Sequence, residues 1–197
     1  MPTPNQSGLF AGLLALFSSA VFSETVIVNL EEPSTDGFYT GISNLRGWAV
    51  AESGIASIEI DVDGTYAFDV PMGGMRGDVA KVYPDFPDSD TSGFSMAYNY
   101  KGLSPGEYVF TARAISKDGG VATDSATVKV DRFLSSYIRD SSEVDTSTVS
   151  EVSFGDASFT LKGLTVEGHQ WDVVMDFDTA TQSFEIADIA EVGAPDT

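Results

Sequence analysis

Asp85, Asp88 and Asp90 place three carboxylates within six residues. Calcium takes six to eight oxygen ligands from carboxylates and carbonyls, and flexible loops suit it, so these three are the candidate metal ligands. Carboxylates in a solvated loop need no ion, and that reading is favoured over calcium. Asp61 and Asp63 form a second acidic pair. Counted from Asp61, position 12 is Met72 rather than Glu, so the helix–loop–helix calcium pattern is absent. No other cofactor is expected. His169 is the sole histidine and stands beside Gly168 in a turn-like stretch. A nucleophile system needs a base held by an orienting group; a lone histidine in an exposed turn is the better reading. The chain has no cysteine. That excludes thiol catalysis, thiolate metal sites, disulfides and a lipid-modified cysteine anchor. Neither a glycine-rich phosphate loop nor a two-histidine metal motif occurs, and the chain is expected to be non-catalytic. Arg76-Gly77-Asp78 matches a tripeptide that some animal cell-surface receptors bind, but three common residues match by chance often.

The elements that must carry these residues are almost all strands. Ile58, Ile60 and Val62 alternate with Glu59 and Asp61, and Asp63-Gly64 follows as a tight hairpin turn because that pair accepts positive φ. Strand-like runs recur over 25–30, 42–50, 65–70, 94–100, 107–116 and 126–130, with Lys117–Gly120 as a turn. Phe94, Met96, Tyr98 and Tyr100 fall on one face. No helical stretch interrupts the series. Seven or so short strands with turn signals in about 105 residues predict a β-sandwich. Tyr108 stands two residues before Phe110, the spacing of a tyrosine that hydrogen-bonds back across the corner of an immunoglobulin-like fold. Residues 131–150 are rich in Ser, Thr and Asp and are expected to be a linker. Alternation resumes over 151–190, where Trp171, Val173, Met175 and Phe177 share a face. This predicts a small antiparallel β-meander, too short for a robust core of its own, that docks on the first domain or on a partner. Residues 191–197 form a tail.

Three stretches together, "GWAVAESGIASIEIDVDG", "RGDVAKVYPDFPDSDTSGF" and "LSPGEYVFTARAISKDGG", resemble a bacterial immunoglobulin-like module of secreted and cell-surface proteins. The resemblance covers about residues 37–130. It implies an accessory or adhesion-type module, usually without catalysis, and fixes no ligand. In that pattern Arg76 and Asp78 recur without reference to any receptor. The physical reading is that Arg76 bonds loop carbonyls or a carboxylate. Asp78 would bond backbone N–H groups, and Tyr83-Pro84 would pack the connection on the sheet.

Composition bounds the partners. Thirty acidic residues stand against ten Lys and Arg, for a net charge of −20. Phosphate binding needs clustered cations, so nucleic acid is excluded as a partner. Residues 1–23 carry no charged side chain, and the apolar run over 9–22 is 14 residues long. That is short for a membrane span, which needs about 20. It fits a signal peptide cut after Ser23, which places the mature protein in the periplasm, at the cell surface or in the medium. The expected domains are a signal peptide (1–23), an immunoglobulin-like β-sandwich (24–130), a linker (131–150), a meander (151–190) and the tail. The expected function is an exported, non-catalytic binding or adhesion-type module, accessory to a larger surface or secreted system, with an unknown protein or glycan as partner. The alternatives are a carbohydrate-binding protein using Trp48, Tyr66, Tyr83, Phe86 or Trp171 as stacking platforms, and a small hydrolase built on His169 and paired carboxylates.

Overall fold

The computed structural model describes residues 24–179 and 181–193. Over these residues the fold is all-β: an immunoglobulin-like β-sandwich is followed by a small antiparallel meander. The signal peptide reading falls on residues outside those described.

Nine strands build the sandwich: β1 (Val26–Glu32), β2 (Phe38–Tyr39), β3 (Ile42–Ala51), β4 (Ile55–Val62), β5 (Thr65–Asp69), β6 (Met72–Gly74), β7 (Gly93–Asn99), β8 (Gly106–Ser116) and β9 (Val121–Val130). One sheet has the order β1-β3-β7-β6, the other β2-β9-β8-β4-β5. The alternation seen in the sequence is the packing. Leu45, Ile58, Ile60, Phe94, Tyr100, Phe110 and Val128 turn inward into one core, while the alternate positions face out. Asp63 and Gly64 take φ of 50° and 74°, as their hairpin requires. At Gly47 a Cβ would lie 2.0 Å from the Asn29 carbonyl and 2.5 Å from the Phe94 ring, so only glycine lets β1 and Phe94 close on this strand. The Tyr108 hydroxyl donates to the Ser104 carbonyl at 3.0 Å, the corner bond expected of it.

The expectation of no helix needs correcting. Gly77–Val82 forms a six-residue helix inside the long connection before β7. Its β-branched valines and its length of under two turns give no helical periodicity to detect.

The meander comprises β10 (Val144–Asp145), β11 (Glu151–Phe154), β12 (Ser158–Val166), β13 (His169–Asp178) and β14 (Ser183–Glu191). The order is β10-β12-β13-β14, with β11 also on β12. A second core gathers Phe133, Leu164, Val166, Trp171, Val173 and Ile189, and Phe38, Ile138, Val144 and Val149 pack against it. Four residues of that core and its margin come from 131–150, and Phe38 comes from the sandwich. Lys101 and Lys129 sit over the Phe133 and Phe38 rings at 5.7 and 5.2 Å from their centres, and Lys129 also reaches Asp188 at 3.2 Å. Among the described residues, no helix is long and apolar enough to cross a membrane.

Candidate functional site

The connection between β6 and β7 folds over the outer face of the β1-β3-β7-β6 sheet. Its anchor is Arg76. Nε and Nη2 donate to the two carboxylate oxygens of Asp78 at 2.9 and 2.7 Å, and Nη2 also reaches Glu31 of β1 at 2.8 Å. Charge-assisted, bidentate geometry of this kind is the strong form of the ion pair. The hydrogen bond from Arg76 holds the Asp78 carboxyl well below the ordinary carboxylate range and raises the guanidinium in turn. Asp78 therefore spends its oxygens chiefly on Arg76 rather than on backbone N–H groups. The Arg-Gly-Asp tripeptide is closed on itself: the two charges a receptor would read are paired to each other.

Aromatic rings fix the rest of the connection. Tyr83 lies 5.5 Å from Trp48 on β3 and 5.7 Å from Phe86, centre to centre. Three of the five candidate sugar platforms are thus gathered, but each is half-buried against the others. Trp171 belongs to the second core at 6% exposure, with its indole N–H toward the Val166 carbonyl at 3.4 Å. Tyr66 is 55% exposed and stands apart, its hydroxyl on Asp69 at 3.3 Å. A sugar platform needs an open ring face: Trp171 presents none, Trp48, Tyr83 and Phe86 are half-buried, and Tyr66 is open but alone.

The three acidic loop residues do not converge. Asp88 adopts φ of 56° and its side chain lies 3.9 Å from Lys117. The backbone carbonyl of Asp90 accepts from the Arg76 N–H at 2.7 Å. Among the described residues, no group of three or more His, Asp or Glu side chains is placed to hold a metal ion, Asp85, Asp88 and Asp90 included. His169 Nδ1 lies 2.5 Å from Glu191 Oε1, and both side chains are substantially exposed. That is a histidine–carboxylate contact at a strand end, not a cleft.

The sequence reading missed a different surface. In an antiparallel ladder, directly paired residues point to the same face. Phe154 pairs Phe159, Phe159 pairs Met175, and Phe177 pairs Phe184. The rings touch: Phe159–Phe184 centres lie 5.1 Å apart and Phe177–Phe184 5.4 Å. This face is continuous with Trp171 and Val173, which are covered by Phe133 of the inter-domain stretch. Its outer half is bare. Phe154 is 81% exposed, Phe184 49%, Val152 44% and Phe177 38%. Contiguous apolar surface of this kind marks an interaction site. The one sequence signal for it was the alternation of Trp171 through Phe177.

The sequence matches no known family model, and a search of curated proteins finds no match either. Among solved structures, several are similar in part. The fibronectin(III)-like modules of Clostridium thermocellum CbhA are 17% identical, with 54% of this chain and 98% of theirs aligned and a TM-score of 0.34. The N-terminal Ig1-2 module of the Drosophila receptor protein tyrosine phosphatase DLAR is 10% identical over 86% of this chain and 97% of its own, with a TM-score of 0.36. The Bacteroides ovatus mixed-linkage glucan utilization protein SGBP-B, solved with a mixed-linkage heptasaccharide, is 10% identical over 86% of this chain and 47% of its own, with a TM-score of 0.32. These likenesses concern the fold alone.

Proposed function

We propose that the chain is an exported, non-catalytic binding module of the adhesion type, accessory to a larger surface or secreted system. The observation that carries this is the bare aromatic face of the meander, with Phe154 81% exposed on an edge strand. Large apolar rings left in water are costly, so a partner that covers them gains the burial. The uncharged apolar segment over 9–22 supports export.

The test is retention of fluorescently labelled protein, residues 24–197, on cells of the species that makes it. The Phe154→Ser, Phe184→Ser double variant should lose at least about tenfold in retention while its melting temperature stays near the parent's, because both rings are exposed. Undiminished retention would sink the proposal. The carbohydrate alternative keeps one favourable observation, the gathering of Trp48, Tyr83 and Phe86. It requires instead that Tyr83→Ala abolish retention and that soluble oligosaccharide compete.

A further inference from the structure

Resting on that reading of the meander as the binding surface, we infer that its partner adds an extended strand to the open edge of β11, and that this strand alternates apolar residues with Lys or Arg. β11 pairs β12 along one side only, and all four of its residues are exposed. Its hydrogen-bonding phase follows from the end of the ladder. The Gly155 N–H donates to the Ser158 carbonyl at 2.9 Å. Hydrogen-bonded and non-bonded pairs alternate along an antiparallel ladder. Ser153 therefore bonds toward β12, and Val152 and Phe154 direct N–H and C=O outward. The two residues with free backbone groups are the same two whose side chains extend the aromatic face. An edge of this kind is a template for another chain.

Alternation in an added strand places every second side chain beside Val152 and Phe154, with Phe159 behind Phe154 on β12. The intervening side chains fall on the other face, beside Glu151 and Ser153, with Asp176 two strands further in. Asp156 lies in the exposed turn after β11. Over 131–197 there are fourteen acidic side chains against three cationic ones, and one of those three, Lys162, already sits 3.6 Å from Glu151. Charge on that face thus favours a cation at the alternate positions and disfavours a second copy of this acidic chain. Strand addition draws affinity from the main chain and selectivity from alternate side chains.

The experiment measures binding of three labelled, end-capped heptapeptides to residues 24–197 by fluorescence anisotropy. They alternate lysine with leucine, glutamate with leucine, and lysine with serine. The lysine–leucine peptide should bind at least about tenfold more tightly than either other, and salt should weaken it. Val152→Pro removes an outward N–H without touching the β12 ladder and should cost at least about tenfold. Phe154→Ser, which leaves the backbone unaltered, should do the same. Asp85→Asn with Asp90→Asn removes two negative charges from the first domain and should change nothing. The inference is overturned if glutamate–leucine or lysine–serine binds equally well, if the Asp85/Asp90 variant loses as much as the edge variants, or if Val152→Pro and Phe154→Ser both bind like the parent. Sedimentation showing a dimer that Val152→Pro dissociates would overturn it too, by naming a second copy as the occupant. None of these outcomes touches retention on cells, so the broader reading stands or falls separately.

Discussion

Two tyrosines make an internal comparison of what burial does to a hydrogen bond. The Tyr100 hydroxyl donates to the Asn44 carbonyl at 3.1 Å, and Tyr100 is 0% exposed. The Tyr108 hydroxyl donates to the Ser104 carbonyl at 3.0 Å, near solvent. Lengths are alike; surroundings differ. Replacing either by Phe keeps the ring, so no large cavity opens and the hydroxyl alone is measured. In Tyr100→Phe the Asn44 carbonyl loses a donor delivered from the closed core, where the buried ring leaves no place for water, a loss of about 1–3 kcal/mol. In Tyr108→Phe water replaces the hydroxyl, and only the net bond of about 0.5–1.5 kcal/mol is lost. For a chain of this size 1 kcal/mol moves the melting temperature by about 2–4 °C. Calorimetry should thus find a drop of about 2–12 °C for Tyr100→Phe and about 1–6 °C for Tyr108→Phe, in that order. A larger drop for Tyr108→Phe would refute the reasoning, since it would mean that burial is not what sets the cost. Burial also raises the Tyr100 hydroxyl well above its ordinary pKa. A raised value contributes stability that is present below the unfolded pKa, about 10, and is lost as pH rises beyond it. Alkaline melts of Tyr100→Phe should therefore fall less steeply than the parent's.

Further outcomes follow from the same geometry. Arg76→Ala should lower the melting temperature by a few degrees while leaving the lysine–leucine peptide's affinity unchanged. The Asp78 carboxyl is held low by Arg76, so its contribution is present above about pH 4, the ordinary carboxylate value, and lost as pH falls below it; Arg76→Ala should flatten that acid limb. Melting temperatures with millimolar calcium and with chelator should coincide, since Asp85, Asp88 and Asp90 do not converge; a calcium shift abolished by Asp88→Asn would restore the metal site. Mass spectrometry of natively expressed protein should find Glu24 as the first residue, and an intact Met1 on the mature protein would contradict export.

Most of the sandwich was legible because its strands are short, bounded by turn residues and strictly alternating. Ile58, Ile60 and Phe110 face inward for the same reason that they alternate. The connection over 75–92 was legible in its purpose and less so in its form. Two prolines and several aspartates announce an ordered loop, yet the partner of Arg76 includes Glu31, which lies forty-five positions away, and no local pattern encodes that. The stretch over 131–150 presents Phe133, Ile138, Val144 and Val149 at irregular intervals. They carry no periodicity because Val144 lies on a strand of only two residues, β10, and the other three on irregular chain. The bare aromatic face was hidden for a different reason. Alternation assigns Phe177 to the same side as Trp171, but bulges shift the register on both flanks of β13, and only the position of the sandwich decides which half is covered.

Phe38 and Phe133 have a consequence for the chain as a heritable unit. They close the meander's core from outside the meander, one from the sandwich and one from the stretch that joins it. Severed after Val130, the meander would keep Phe133 but lose the Phe38 plug, and the sandwich would expose a ring it now shelters. Modules that recombine freely carry their own cores across the cut; the sandwich does, and the meander does not. Transfer of the meander into a fusion, by an engineer or by a genome, therefore calls for the sandwich that carries Phe38 to move with it.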